Sequence, residues 1–210
     1  MEKKNMIIIG IIIVVIAIAA ILFSGVLNQT QTTKFNTDFM SGAFVGNVVE
    51  NESNLSYSSY FHDDVNNISY NLTTIDNASA LMEIYRYQGF SDPENRVYNG
   101  NNWSIYFAQT VPVVDNATNQ TTNKSTGIII CESQQESQGY VIYIIFEDLS
   151  KVNFTLNTYG DSYIKFVEPL LNSISLKKSD DVPVIYELWG MSEDEFYNQI
   201  GNITEINNQR

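Results

Sequence analysis

The sequence predicts an α+β protein, in which an antiparallel sheet with packed helices is preceded by a single N-terminal transmembrane helix. First, Met6–Leu27 is an almost unbroken apolar run, and no other segment is as hydrophobic. Second, most of the chain after Phe39 consists of short segments rich in Val, Ile and aromatic residues, many of them alternating apolar with polar, which is typical of strands. Third, helical spacing is confined to a few stretches that do not alternate regularly with strands, which disfavours a doubly wound parallel sheet.

The apolar run is long enough to cross a bilayer, because about 20 helical residues span a hydrocarbon core of about 30 Å. Lys3 and Lys4 precede it, and basic residues favour the cytoplasmic side. We therefore expect residues 1–27 to be a cytoplasmic stub and signal anchor in the cell membrane, with residues 28–210 extracytoplasmic. One alternative is a cleaved signal peptide, whose apolar region is usually about 7–15 residues long. Another is a pilin-like helix that assembles with copies of itself.

The composition excludes several kinds of partner and site. The chain has 11 Lys and Arg against 24 Asp and Glu, a net charge of −13. Such an acidic surface repels phosphate backbones, so nucleic acid is not an expected partner. Cys131 and His62 are the only residues of their types. A lone Cys cannot form an internal disulfide, and zinc sites built from His and Cys lack ligands, so we expect no metal and no cofactor.

The strands are predicted within one exported domain. Residues 28–38 are polar and predict a linker, and residues 39–178 predict the domain itself. Asn99-Gly100 is the favoured pair for a tight turn between two strands. Two nearly continuous apolar runs, Thr126–Glu132 and Tyr140–Glu147, predict central strands that are covered on both faces. The other predicted strands are Met40–Val49, Leu55–Phe61, Val65–Thr73, Arg96–Tyr98, Trp103–Gln109 and Val152–Leu156.

Two helices are predicted inside this domain. Asp76 or Asn77 can cap a helix that Gly89 would end. Residues 161–174 carry apolar side chains at helical spacing. Pro169 lies within that stretch and removes a backbone donor, so we expect a kink or two abutting helices there.

A C-terminal extension is predicted over residues 179–210. Val184–Leu188 reads as a short strand or an arm. Ser192 and Glu195 form a capping-box pattern, which predicts that a short helix starts at this point.

Twelve Asn-x-Ser/Thr acceptor motifs favour an N-glycosylated surface protein. A strand with one solvent-exposed face also places polar residues at i and i+2, so motifs within strands can arise from alternation alone. Motifs in loops are not explained in this way. Asn28 lies too close to the expected bilayer to be modified. The candidate glycosylation sites are Asn51, Asn54, Asn67, Asn71, Asn77, Asn102, Asn116, Asn119, Asn123, Asn153 and Asn202.

The order of elements from Val65 to Lys177 resembles the PsbP-like group of exported α/β domains. The likeness rests on the alternating strand through Ile68, Tyr70 and Leu72, the helix after Asp76, the Trp103 hairpin, the strand pair at 128–146 and the closing helix Phe166–Ile174. With its anchor and its Asn- and Ile-rich composition, the chain is similar to membrane-anchored archaeal surface proteins. The resemblance implies an accessory or binding module and brings no catalytic residues. The segment after Lys177 departs from the family.

His62-Asp63-Asp64 is the one place where a base lies beside carboxylates, an arrangement that can hold a metal or orient a nucleophile. No Gly-x-Ser-x-Gly elbow accompanies it, so we interpret it as a turn between strands. Asp115, with Asn116 and Asn119, offers oxygens for Ca²⁺ but lacks the EF-hand pattern.

Two further patterns depend on spatial arrangement. The 13 Tyr and 11 Phe would support carbohydrate binding only if the fold exposes a row of rings. A carboxylate pair for glycoside hydrolysis requires two acidic groups to meet, and the candidates are Glu132, Glu136 and Glu147.

We predict a single-pass membrane protein whose exported domain is a non-catalytic accessory or binding module of the cell envelope. The membrane is one partner, through the N-terminal helix, and an envelope protein or a glycan is another. An anchored hydrolase acting on cell-wall material and an envelope assembly subunit are the alternatives. We assign no catalytic, cofactor-binding or metal-binding residue from the sequence.

Overall fold

A computed structural model describes residues 31–53, 55–110, 114–115, 120–121 and 125–209. Its strands are β1 (Thr32–Asn36), β2 (Met40–Val45), β3 (Val49–Asn51), β4 (Ser58–Asp63), β5 (Ile68–Ile75), β6 (Glu94–Tyr98), β7 (Asn101–Thr110), β8 (Val114–Asp115), β9 (Gln120–Thr121), β10 (Thr126–Gln135), β11 (Gln138–Phe146) and β12 (Ser175–Leu176). Its helices are α1 (Met82–Tyr87), α2 (Glu168–Ser173), α3 (Ile185–Leu188) and α4 (Glu193–Asn207), with a 3-10 turn at Ala78–Leu81 and a π-helical turn at Tyr163–Val167. All strand pairs are antiparallel, which confirms the α+β class.

Seven strands form the main sheet, in the order β3-β4-β5-β11-β10-β7-β6. Most neighbours pair as hairpins, and the pairing of β11 with β5 joins the two halves of the sheet. The predicted tight turn between β6 and β7 is confirmed: Asn99 and Gly100 have positive φ angles of 47° and 79°, as a type I′ turn requires. The apolar strands β10 and β11 are central, and most of their residues are buried from both faces, as predicted.

The first face of this sheet carries the larger core. It packs against a small sheet, β1-β2-β12, and against the π-helical turn and α2. Ile68, Tyr70 and Leu72 of β5 all point inward, as the alternation predicts. Phe44 of β2 lies against Tyr70, with 4.6 Å between ring centroids. The small sheet and the helical segment therefore form a second layer over the first face.

Helices cover part of the second face. A smaller core joins the sheet to α1, α3 and α4, and its buried members include Tyr85, Tyr106, Ile130, Val141, Ile185 and Phe196. The Asp76 carboxylate accepts a hydrogen bond from the backbone N–H of Ile185 at 2.9 Å. Asn207 donates to the Glu83 carboxylate at 2.8 Å. These bonds hold the C-terminal extension on the domain. Val49, which lies on β3, stays exposed.

Two segments that precede α2 differ in type from their predictions. Thr32–Asn36, expected within the polar linker, form β1, which pairs with β2 because Phe35 gives the polar segment one buried anchor. Val152–Leu156 is not a strand. Instead, the Phe154 ring lies over Gly127, where an added Cβ would come within 2.6 Å of it. Val152 and Phe154 therefore pack on the core individually, without strand pairing, while Leu156 is exposed.

The helical stretch around Pro169 is continuous from residue 161 to Ser173 and is not divided into two helices; a π-helical turn precedes α2 within it. A π-helical turn ends at Val167, and α2 begins at Glu168. Pro169 then lies in the first turn of α2, where its missing N–H is tolerated. The wider π turn changes the helical phase. Consequently Tyr163 is buried, while the neighbouring Ile164 is 48% exposed.

The predicted helix ends agree only in part. The capping box at Ser192 and Glu195 is confirmed in both directions. Asn77 makes no side-chain capping bond to the 3-10 turn. Gly89 ends the helical segment with a φ of 90°, as expected. Val184–Leu188, predicted as a strand or an arm, contains α3 instead.

The predicted anchor, Met6–Leu27, lies outside the described residues. Within the described ranges, no helix is both long and apolar enough to cross a bilayer. The described residues from Thr32 onward belong to one compact unit, so the extension over residues 179–210 folds with the domain.

Candidate functional site

The triplet His62-Asp63-Asp64 lies where β4 turns toward β5, as the sequence predicts. Asp63 is fully buried. Its carboxylate accepts hydrogen bonds from the backbone N–H groups of Val65 and Asn66, both at 3.0 Å, and from the Asn66 side chain at 2.7 Å. Three donors satisfy this buried carboxylate, so Asp63 closes the turn and is not free to bind a ligand.

His62 belongs to a cluster that the sequence did not predict. Strand pairing places Ser69 directly opposite His62, and Glu147 follows the end of the next strand, β11. Ser69 Oγ lies 2.9 Å from His62 Nδ1 and 2.5 Å from Glu147 Oε1. Asp64 Oδ1 lies 3.2 Å from His62 Nε2. We call these four residues the polar cluster.

The hydrogen-bond roles within the polar cluster follow from its donors. A carboxylate only accepts hydrogen bonds, so the Ser69 hydroxyl donates its single hydrogen bond to Glu147. Ser69 Oγ then accepts a hydrogen bond from the N–H group of His62 Nδ1. The contact between His62 and Asp64 is an ion pair whenever the imidazole is protonated. The cluster is open to solvent, because the side chains of His62 and Glu147 are 27% and 44% exposed.

A shallow cavity of about 320 Å³ lies beside the cluster on the second face of the sheet. We call it the trough. The residues that line it are Asn51, Tyr60, Phe61, Ser69, Tyr70, Asn71, Tyr143 and Ile145. Ser69 belongs to both features, so the polar cluster forms one end of the trough.

The register of the sheet arranges four trough residues in a row across four strands. Asn51 is opposite Tyr60, Tyr60 is opposite Asn71, and Asn71 is opposite Tyr143. Adjacent strands are about 4.8 Å apart, so amide and phenol side chains alternate at that spacing. We call this set the amide–tyrosine row.

Part of the row has unused hydrogen-bonding capacity. Tyr60 is 41% exposed, and neither its hydroxyl nor the Asn51 amide bonds to a described residue. Asn71 Oδ1 accepts from Ser58 Oγ at 3.0 Å. The Tyr143 hydroxyl lies 3.1 Å from that of Tyr85, and burial raises the pKa of Tyr143. Tyr143 is therefore fixed against α1, while Tyr60 and Asn51 are available to a ligand.

The three candidate glutamates do not meet. Glu132 is opposite Val141, six residues before Glu147, so the two carboxylates are about 20 Å apart along the sheet. That distance exceeds the separation of about 5–9.5 Å that glycosidases use. Glu136 lies at the exposed turn between β10 and β11. Glu132 is buried under the helices, its Oε2 has no hydrogen-bond partner in the described residues, and burial raises its pKa to about 8.

Asn116 and Asn119 of the predicted Ca²⁺-like loop lie outside the described residues. In the part of the chain that the structure describes, no group of three His, Cys, Asp or Glu side chains is arranged to hold a metal ion. Burial raises the pKa of the Cys131 thiol well above its ordinary value, consistent with a packing role.

The glycosylation candidates fall into three sets. Exposed positions on the described surface are Asn51, Asn102, Asn153 and Asn202. Partly buried positions are Asn67, Asn71 and Asn77. The positions outside the described residues are Asn54, Asn116, Asn119 and Asn123. Accessibility therefore favours Asn102, Asn153 and Asn202 as modification sites, whereas Asn51 also lines the trough.

Comparison with known proteins assigns no family. No family model matches the chain, and no curated protein matches it. A solved structure from Bacteroides thetaiotaomicron VPI-5482 matches with a TM-score of 0.44 and 12% identity, covering 72% of this chain and 50% of that one. The chain thus spans about half the length of that protein, and a likeness at this level assigns neither a fold family nor a function. The resemblance to PsbP-like domains stays a prediction.

The sequence missed the residues that complete the site: Ser69 of the polar cluster and the members of the row. Alternation in β5 did place Ser69 and Asn71 on the solvent side, opposite the core residues. It carried no information about which residues of β4 and β11 would lie beside them.

Proposed function

We propose that the chain is a membrane-anchored, extracytoplasmic binding module of the cell envelope and that its role is non-catalytic. Met6–Leu27 would be the single-pass anchor, with the N-terminus in the cytoplasm. The long apolar run after two lysines supports this placement. The acidic composition is suited to an exported domain that stays soluble near a membrane.

The observation that carries the binding role is the trough. It is concave, it combines aromatic rings with amide groups, and most of its floor is formed by β4, β5 and β11, which are hydrogen-bonded to strands on both sides. A preformed cavity on a rigid scaffold loses little conformational freedom when it binds, which favours affinity. Tyr60 and Asn51 supply exposed polar groups that no described residue uses.

Photo-crosslinking in native membranes tests the binding role. p-Benzoylphenylalanine at position 60 keeps an aromatic ring in the trough of the full-length chain. The control carries the same group at position 159, where Tyr159 is 79% exposed and lies outside the trough. We expect an adduct from position 60 alone. No adduct from position 60, or equal adducts from both positions, would contradict the proposal.

An anchored hydrolase is the second candidate, because Ser69, His62 and Asp64 are linked in the order of nucleophile, base and orienting acid. Two features disfavour it. The Ser69 proton is donated to Glu147 and not to the imidazole. β5 is an interior strand, so its amides are engaged in the sheet and offer no oxyanion hole.

A fluorophosphonate probe separates the two candidates. A hydrolase of this kind would be labelled by the probe, and Ser69→Ala would abolish the labelling. We expect the wild-type chain to remain unlabelled. Labelling that depends on Ser69 would replace the binding proposal with the hydrolase.

A further inference from the structure

We infer that the trough binds neutral sugar residues of a glycan, held across the amide–tyrosine row. This inference rests on the proposed binding function and adds the chemical class of the ligand. Three properties of the trough carry it: the charge of its surroundings, the alternation of its side chains and the position of the polar cluster.

The charge around the trough excludes anionic ligands. None of the described residues that line it is basic. Glu147 and Asp64 lie at one end, in the polar cluster. A phosphate, sulfate or uronate would therefore meet negative charge at that end and no basic side chain along the trough, in a chain whose net charge is already −13. A neutral ligand meets no such repulsion.

The alternation in the row matches the two kinds of surface on a sugar ring. A pyranose has a face of C–H groups, which packs on an aromatic ring, and a rim of hydroxyls that both donate and accept. Tyr60 and Tyr143 supply rings on either side of Asn71. Amide and phenol groups each donate and accept hydrogen bonds. The free groups of Tyr60 and Asn51 can thus bond to hydroxyls while the rings cover the C–H face.

The polar cluster gives the trough a hydrogen-bonding end. Glu147 is partly exposed beside Ser69, and of its two carboxylate oxygens only Oε1 accepts a hydrogen bond from Ser69. A sugar hydroxyl can donate to the other oxygen, and hydrogen bonds to an ionised carboxylate are stronger than neutral ones. The trough is open, so a chain of sugar residues can extend beyond it without a change of fold.

The test uses the full-length chain in lipid nanodiscs on an array of defined oligosaccharides. The neutral probes are cellotetraose, maltotetraose, mannotetraose and chitotetraose, and the anionic probes are tetragalacturonate and a heparin tetrasaccharide. We expect binding to at least one neutral probe and to neither anionic probe. Tyr60→Ala should weaken that binding at least tenfold, whereas Tyr60→Phe should weaken it only about twofold, because the ring is retained.

Tyr159→Ala is the matched control, since it removes an exposed tyrosine outside the trough and should leave binding unchanged. Unchanged melting temperatures would show that the variants are folded. Binding to the anionic probes, binding that survives Tyr60→Ala, or no binding to any neutral probe would overturn the inference. Crosslinking from position 60 then decides about the broader proposal: an adduct that contains peptides of a second protein would leave the binding module standing with a protein ligand, and no adduct would remove both.

Discussion

Glu132→Gln should stabilise the domain in a pH-dependent manner. The Glu132 side chain is only 5% exposed, beneath α1, and its Oε2 has no hydrogen-bond partner in the described residues. Burial raises its pKa from 4.5 to about 8. Gln has nearly the same shape and never ionises. The substitution therefore removes the cost of burying a carboxylate and little else.

The sign and size of this stabilisation follow from proton linkage. In the unfolded chain the carboxyl ionises near pH 4.5, whereas in the folded chain it holds its proton until about pH 8. The folded state binds the extra proton between these values, so its stability falls as pH rises through this window. Each pKa unit is about 1.4 kcal/mol, which gives a loss of about 5 kcal/mol above pH 8 and about 3 kcal/mol at pH 7. Glu132→Gln should raise the free energy of unfolding by the same amounts.

Urea unfolding of the full-length chain in detergent micelles measures this effect at pH 4.5, 7 and 9. The fluorescence of Trp103, which is buried, reports unfolding. The control is Glu136→Gln at the exposed turn of the same hairpin, which should shift stability little at any pH. We expect no benefit from Glu132→Gln at pH 4.5 and the full benefit at pH 9. A benefit that is independent of pH, or a loss of stability at pH 9, would refute the reasoning.

Gly46→Ala should destabilise the domain strongly, because φ is +112° and an added Cβ would lie 2.1 Å from the Asp63 carboxylate. Gly201→Ala, with no atom within 4 Å of the new Cβ, should instead stabilise α4 by up to about 1 kcal/mol, and thermal melts of both variants should shift in opposite directions. Ser192→Ala should cost about 1 kcal/mol through the lost cap, seen as faster proteolysis of the C-terminal helix; an unchanged rate would count against the cap. The buried Cys131 thiol should react with a thiol reagent only after denaturation, and rapid reaction of the native chain would contradict its burial.

Local signals in the sequence predicted several elements correctly. Asn99-Gly100 fixes a turn whose positive φ angles few other residues accept. Ser192 and Glu195 bond to each other within one helical turn, so no distant residue is needed to define that helix start. The alternation of β5 and the apolar runs of β10 and β11 likewise identified which residues are buried.

The remaining elements depend on contacts between distant segments. Phe35 is buried beside β2 in the first-face core, and this contact stabilises β1. The polar sequence around Phe35 does not predict that contact. Val152–Leu156 alternates like a strand. Phe154, however, is positioned by packing of its ring over Gly127 and not by pairing with another strand. Pattern alone cannot distinguish these cases, because both have apolar residues at the same spacing.

The candidate site was the least predictable part. Alternation indicates the face on which a side chain lies, but the row needs the relative register of β3, β4, β5 and β11. A slip of one residue in β4 would replace Tyr60 with a neighbour pointing to the other face. The polar cluster depends on the same register, since Ser69 meets His62 only in this pairing.

Membrane placement of the folded domain is the most direct test of the central claim. In a Tyr159→Cys variant, the new thiol takes the position of a side chain that is 79% exposed. The buried Cys131 should not react with the reagent. Intact cells are treated with a membrane-impermeant maleimide and then fractionated. We predict labelled full-length protein in the membrane fraction before lysis. Labelling that requires lysis, or labelled protein in the soluble fraction, would contradict an anchored extracytoplasmic module.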